Sequence, residues 1–239
     1  MSWADNPLLA LDCESTGVDP FPDRIVEGAA VLIDPDGTAR RPWSAIVNPG
    51  VEIPADASEV HGITTGHARE KGEQPSAALS TVATIIWEHI DAHAGQAAVV
   101  MFNARFDWPL LLAEAARHHV DEFPVMAPVL DPYLLDRMCD RYRRGKRQLT
   151  LVADHYGVSL DGAAHGALVD AKAAGRVAHQ IVARYPDLAE RNLPDLYLHQ
   201  AHGHEQDRQR FEDYLRRNVD PEAHVTPGWP VPVEPEVRS

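Results

Sequence analysis

The sequence predicts an α/β fold: a mixed five-stranded sheet flanked by helices, followed by a helical and proline-rich extension. Three observations predict it. A short apolar run from Leu8 and another at 97–102 have the continuity of buried strands. Residues 23–33 and 43–47 are also strand-like, and Asp34-Pro-Asp-Gly37 is a turn, so the first three strands form an antiparallel meander. Beyond residue 76, helical stretches alternate with strands, which places helices on the faces of the sheet.

The first strand delivers Asp12 and Glu14 with one residue between them. Strand side chains alternate, so both acids face one way and Cys13 faces the other. Gly17 then lets the backbone turn away. Residues 48–54 form a loop and 56–60 a helical turn. Ser76 suits the N-cap of a helix over 76–92, with Leu79, Val82, Ile86 and Ile90 at helical spacing. The strand at 97–102 ends at Asn103, and a Leu- and Ala-rich helix follows over 109–118 with Pro109 in its first turn. Residues 128–130 form a short fifth strand, and helices are expected near 133–142 and 150–156. His165-Gly166 introduces a long helix to about 185. Residues 1–185 are read as one domain and 186–239 as an extension, with one or two amphipathic helices at 193–217 and an extended tail at 220–239.

Bulk properties narrow the classes. No stretch is long and apolar enough to span a bilayer, and the N-terminus lacks the regions of a signal peptide. Two cysteines argue against a disulfide framework and favour a reducing cytoplasm. A net charge of −14 argues against a generalist polyanion binder, although bound cations and a local basic patch can still attract nucleic acid.

The chemistry rests on acids. Paired carboxylates at the end of a buried strand repel unless a cation or proton lies between them, and such oxygen-rich sites suit Mg²⁺ or Mn²⁺. Asp107 follows the strand at 97–102, where it reads either as a helix N-cap or as a further acid at a strand's carboxyl end. His165 and Asp170 are five residues apart, about 140° on a helix, so they do not share a face. His165 is placed on the entering loop, suited to taking a proton from water, with Asp170 in the first turn.

The blocks Asp-Cys-Glu-Ser-Thr-Gly (12–17), Asn-Ala-Arg-Phe-Asp (103–107) and His-Gly-Ala-Leu-Val-Asp (165–170) stand in order and together resemble the DEDDh family of 3′–5′ exonucleases. The resemblance covers roughly 7–185, and residues 61–64 and 145–150 are similar to segments of the proofreading epsilon subunit of bacterial DNA polymerase III. It implies a ribonuclease-H-like fold, two Mg²⁺ or Mn²⁺ ions held by Asp12, Glu14, Asp107 and Asp170, and His165 as general base. It implies hydrolysis at a nucleic-acid 3′ end, single-stranded DNA preferred, in replication proofreading or repair. Ser15, Thr16 and Gly17 would approach the terminal sugar, Phe106 and Ile63 the bases, and His61 and Asn103 the nucleotide or its loops.

Arg141, Arg143, Arg144, Lys146 and Arg147 stand out as a phosphate track, or else as a solvated helix face pairing with Asp136 and Asp140. His199, His202 and His204 read as surface residues. The segment 229–232 reads as a peptide docking on a DNA polymerase or replisome protein, or as a strap over its own domain. Two rival functions remain: an RNA-trimming exonuclease, and a catalytically silent end-binding or replisome interaction module. The latter predicts loss of an acid or of the histidine, and all five are present.

Overall fold

A computed structural model describes residues 2–162 and 166–233. Strands β1 (Leu8–Ser15), β2 (Ile25–Ile33), β3 (Ala39–Ile46), β4 (Val99–Val100) and β5 (Val129–Leu130) form one sheet in the order β3-β2-β1-β4-β5. The meander is antiparallel, while β1–β4 and β4–β5 are parallel. This is the mixed sheet that the sequence predicts.

Among the described residues, eight α-helices surround it: α1 (Ala55–His61), α2 (Thr65–Lys71), α3 (Pro75–Ala92), α4 (Ala104–Arg117), α5 (Pro132–Cys139), α6 (Leu149–His155), α7 (Ala167–Arg184) and α8 (Leu193–Asn218). The alternation of β1 divides them into two layers. Leu9, Leu11 and Cys13 pack with α3 and α4, whereas Leu8 and Ala10 pack with α6 and α7. Gly175 brings α7 close to the sheet, since a Cβ there would lie 2.6 Å from Ile33 Cγ1 and 3.1 Å from the Ala10 Cβ. Small residues on α7 (Ala171, Ala174 and Ala178 are buried) continue the same close face.

Several expected boundaries move for identifiable reasons. Strand β3 starts at Ala39, not 43, because an edge strand carries Arg40, Arg41 and Pro42 without apolar alternation. Helix α3 begins at Pro75, with Gln74 at the cap position, so Ser76 is inside it; proline's fixed φ makes it a ready first helical residue. Helix α4 begins at Ala104, not 109: Asn103 takes the left-handed conformation (φ 66°, ψ 52°) that asparagine tolerates and turns the chain directly into the helix. Pro109 therefore lies inside α4, where it forgoes one ladder bond, and Asp107 belongs to the first turn and is no N-cap. Helix α2 is absent from the sequence reading; Thr64 caps it by accepting from the His67 N–H.

Residues 193–218 form one continuous helix. The segment after it returns to the domain. Trp229 is 7% exposed and packs in the α3–α4 layer against Tyr197, so it is a strap and is not presented as a docking side chain. No helix among the described residues is long and apolar enough to cross a membrane.

Candidate active site

The acids gather at the carboxyl end of β1. Oxygen atoms of Asp12, Glu14 and Asp170 all lie within 4.8 Å of one another, on half-buried side chains. Parity explains the grouping: Asp12 and Glu14 face the α7 layer, and Asp170 sits in the first turn of α7. Asp107 comes from the opposite layer. It is 5% exposed, and its Oδ1 accepts the Cys13 N–H at 3.1 Å, which ties α4 to the backbone between the two β1 acids.

The cluster is electrostatically costly without a counter-charge. Burial, then the charges of Asp107, Asp170 and Glu14, raise Asp12 well above the carboxylate range. Burial, then Asp170 and Glu27, push Glu14 up to about 7. Burial pushes Asp107 up to about 8 against the pull of its N–H donors. An all-oxygen donor set with this excess of negative charge fits a hard divalent cation such as Mg²⁺ or Mn²⁺.

Glu27 escaped the sequence reading. It stands opposite Glu14 in the β1–β2 register, and its Oε2 accepts the Ala167 N–H at 3.3 Å, anchoring the start of α7. The register would have revealed it. Asp131 was missed as well. It is buried where β5 ends, and its carboxylate accepts from the N–H groups of Asn103, Ala104, Tyr133 and Leu134, so one side chain caps α4 and α5 together. Glu114, fully buried on α4, accepts the Ile25 N–H at 3.3 Å and pairs with Arg117, fixing the helix to the start of β2.

The remaining expected residues sort by exposure. Ser15 and Thr16 are buried: Ser15 Oγ donates to Gly17 O at 2.6 Å, and Thr16 Oγ1 donates to Asp23 Oδ1 at 2.8 Å, so both hydroxyls brace their own turn. Gly17 leaves room for the Asp23 side chain, whose carboxylate a Cβ there would meet at 2.6 Å and displace. Asn103 is exposed at the cavity wall and Phe106 is half-buried beside it. Ile63 is 7% exposed and packs with Val26, Ile53 and Ala68 in a small separate core under α1 and α2, so it offers a base little surface. His61 is half-buried, its Nδ1 accepting the Ile63 N–H at 3.1 Å; burial lowers its pKa and a backbone contact with Ser15 opposes this. His165 lies outside the described residues.

The basic cluster divides. Arg143 and Arg147 both pair with Asp136, which is fully buried and also accepts from Tyr156 Oη at 3.1 Å. That pairing spends Arg143 on structure, against its expected place in a phosphate track. Arg147 is held the same way yet lines a cavity of about 350 Å³ with Asp12 and Asp170. Arg141, Arg144 and Lys146 are exposed nearby.

The carboxylate cluster lies at a strand end of a mixed sheet flanked by helices, the arrangement of the ribonuclease-H-like exonuclease fold. The exonuclease family model RNase_T matches residues 9–178, and the chain belongs to that family. A search of curated proteins returns no match. Among solved structures, the fold is similar to E. coli Exonuclease I in complex with a dA16 oligonucleotide (21% identity, TM-score 0.65, 77% of this chain and 42% of that one). It is similar also to the apo form of Exonuclease I (21%, 0.63, 78% and 44%) and to a product-bound structure of exonuclease I (20%, 0.63, 78% and 45%). The chain thus spans less than half the length of these structural relatives.

Proposed function

We propose that the chain is a metal-dependent 3′–5′ exonuclease that releases nucleoside 5′-monophosphates from single-stranded DNA ends. The observation that carries this is the convergence of Asp12, Glu14 and Asp170 oxygens within 4.8 Å at the end of β1. Asp12, Glu14 and Asp170 would hold divalent cations, two in the full reading, with Asp107 adjoining. The chemistry supplied by cations held there would be activation of water and stabilisation of the leaving 3′-oxygen.

The chain's own residues supply the rest. Asp107, through Cys13 N–H, fixes the spacing of the β1 acids. Glu27 and Asp131 hold the starts of the two helices that carry Asp170 and Asp107. Phe106 offers an apolar face to the terminal base, which requires no base code. His165 would take the proton from water, by resemblance to the family motif. The DNA complex of Exonuclease I supports the choice of single-stranded DNA, and roles in proofreading or repair follow from the same resemblance.

The test is digestion of matched 5′-labelled DNA and RNA strands with Mg²⁺, Mn²⁺ or EDTA, beside Asp12→Ala and His165→Ala. A DNA ladder shortening from the 3′ end, lost in EDTA and in both variants, is the expected result. Faster RNA trimming would move the substrate to RNA, and no metal-dependent digestion of either strand would overturn the reading.

A further inference from the structure

A second cavity, of about 310 Å³, lies between α4, α5 and the segment following α7. Asn103 and Tyr133 stand in the walls of both cavities, so the two adjoin. Its other walls include His204, Arg208, Phe211 and Trp229, all beyond residue 178, where the family match ends. The cavity is therefore walled jointly by the family-matched segment, with Arg105 and Arg137, and by the C-terminal segment.

Its charges do not cancel evenly. Arg137 is paired with Asp207, and Arg208 with Glu205 and Glu212. The Asp131 carboxylate is taken up by backbone N–H groups. Arg105 differs. Its Nε and Nη2 donate to the carbonyl oxygens of Gly228 and Thr226 at 3.1 and 2.5 Å, and it forms no ion pair with a carboxylate among the described residues. Burial and the neighbouring Arg208 charge pull its pKa down, as expected of a cation without a counter-ion. Beside it, the buried Nδ1 of His204 has no hydrogen-bond partner. At the rim Phe211 is 52% exposed on α8, an aromatic face that packs no core.

An uncompensated guanidinium and a free aromatic face in one cavity match the two halves of a nucleotide. Guanidinium groups take phosphate oxygens through charge-assisted hydrogen bonds, and aromatic rings stack any base. We propose that this cavity is a subsite for an upstream nucleotide of the single-stranded substrate, with its phosphate on Arg105 and its base against Phe211. The subsite rests on the exonuclease reading above and extends it: the C-terminal segment grips the strand while the metal site acts on its end.

The test uses the full chain with Arg105→Gln and Phe211→Ala; Phe211 is exposed enough that its truncation empties no core. Binding of a 5′-fluorescein oligothymidylate of about ten nucleotides, long enough to reach past the metal site, is followed by anisotropy in Ca²⁺ across a KCl series. Phe211→Ala is expected to weaken binding about fivefold to tenfold, the effect of one lost base stack. Arg105→Gln is expected to lower the slope of log affinity against log salt by about 0.7, one phosphate contact on a single strand. In hydrolysis the penalty should fall on KM, growing with strand length and fading on p-nitrophenyl thymidine 5′-monophosphate, which reaches no further than the metal site. Wild-type binding and salt slope in both variants would overturn the subsite. Failure of the unaltered chain to hydrolyse either substrate would instead overturn the exonuclease reading, and the anisotropy series would still decide whether the cavity holds a strand.

Discussion

Glu14→Gln should make the metal-free protein more stable and the enzyme inactive. Glu14 is held up to about 7, against an ordinary 4.5, by burial and by Asp170 and Glu27. Between those two values the native chain keeps a proton that the unfolded chain has released. Stability therefore falls as pH rises through that window, and the full cost is present above about 7. The gap between 4.5 and about 7 corresponds to ~3 kcal/mol. Glutamine keeps the shape and removes the charge. At pH 8 in EDTA the variant should melt up to ~6 °C higher, at ~2 °C per kcal/mol for a chain of this size; near pH 4.5 it should melt with the wild type. The assay is thermal unfolding in EDTA at both pH values, paired with DNA digestion in Mn²⁺, which the variant should lose. A variant less stable at pH 8, or equally stabilised at both pH values, would refute the account of the cluster as strained by its own charge.

Two further substitutions probe the framework. Asp131→Asn leaves one acceptor oxygen for the N–H groups that start α4 and α5, and should cost ~2 kcal/mol in urea unfolding while lowering kcat, since α4 carries Asp107. Gly175→Ala places a Cβ 2.6 Å from Ile33 and should cost ~1–3 kcal/mol; a wild-type melting temperature would show that α7 does not need its close approach to the sheet.

The site was legible in the sequence where it depended on parity. Asp12 and Glu14, two apart on a strand, were bound to share a face, and Asp170 in the first turn of a following helix could meet them. Asp107 was legible as an acid but not as a member of the opposite layer, because that depends on which face of the sheet α4 covers. Glu27 was hidden because its neighbour Glu14 is set by strand register, and a register is a long-range pairing. Asp131 reads locally as an ordinary cap of α5; its second task, at the start of α4, joins residues 27 and 28 positions apart. The edge strand β3 was underestimated because its arginines face solvent, and α2 because its seven residues carry little apolar signal. Trp229 was legible as a strap ahead of a docking peptide, but the layer it packs into was not, because that contact spans more than a hundred residues of chain.

Arg105 belongs to the first turns of α4, the helix that carries Asp107, yet two of its nitrogens, Nε and Nη2, donate to carbonyls of the C-terminal segment. The segment is thus fastened to the catalytic helix and is no detachable module. A chimera that exchanged the C-terminal part for that of another exonuclease-family chain would have to refit this junction as well. Divergence in this lineage is therefore expected to couple changes near residue 105 with changes near residues 226 and 228, so that strand grip and catalytic geometry evolve as one inherited unit.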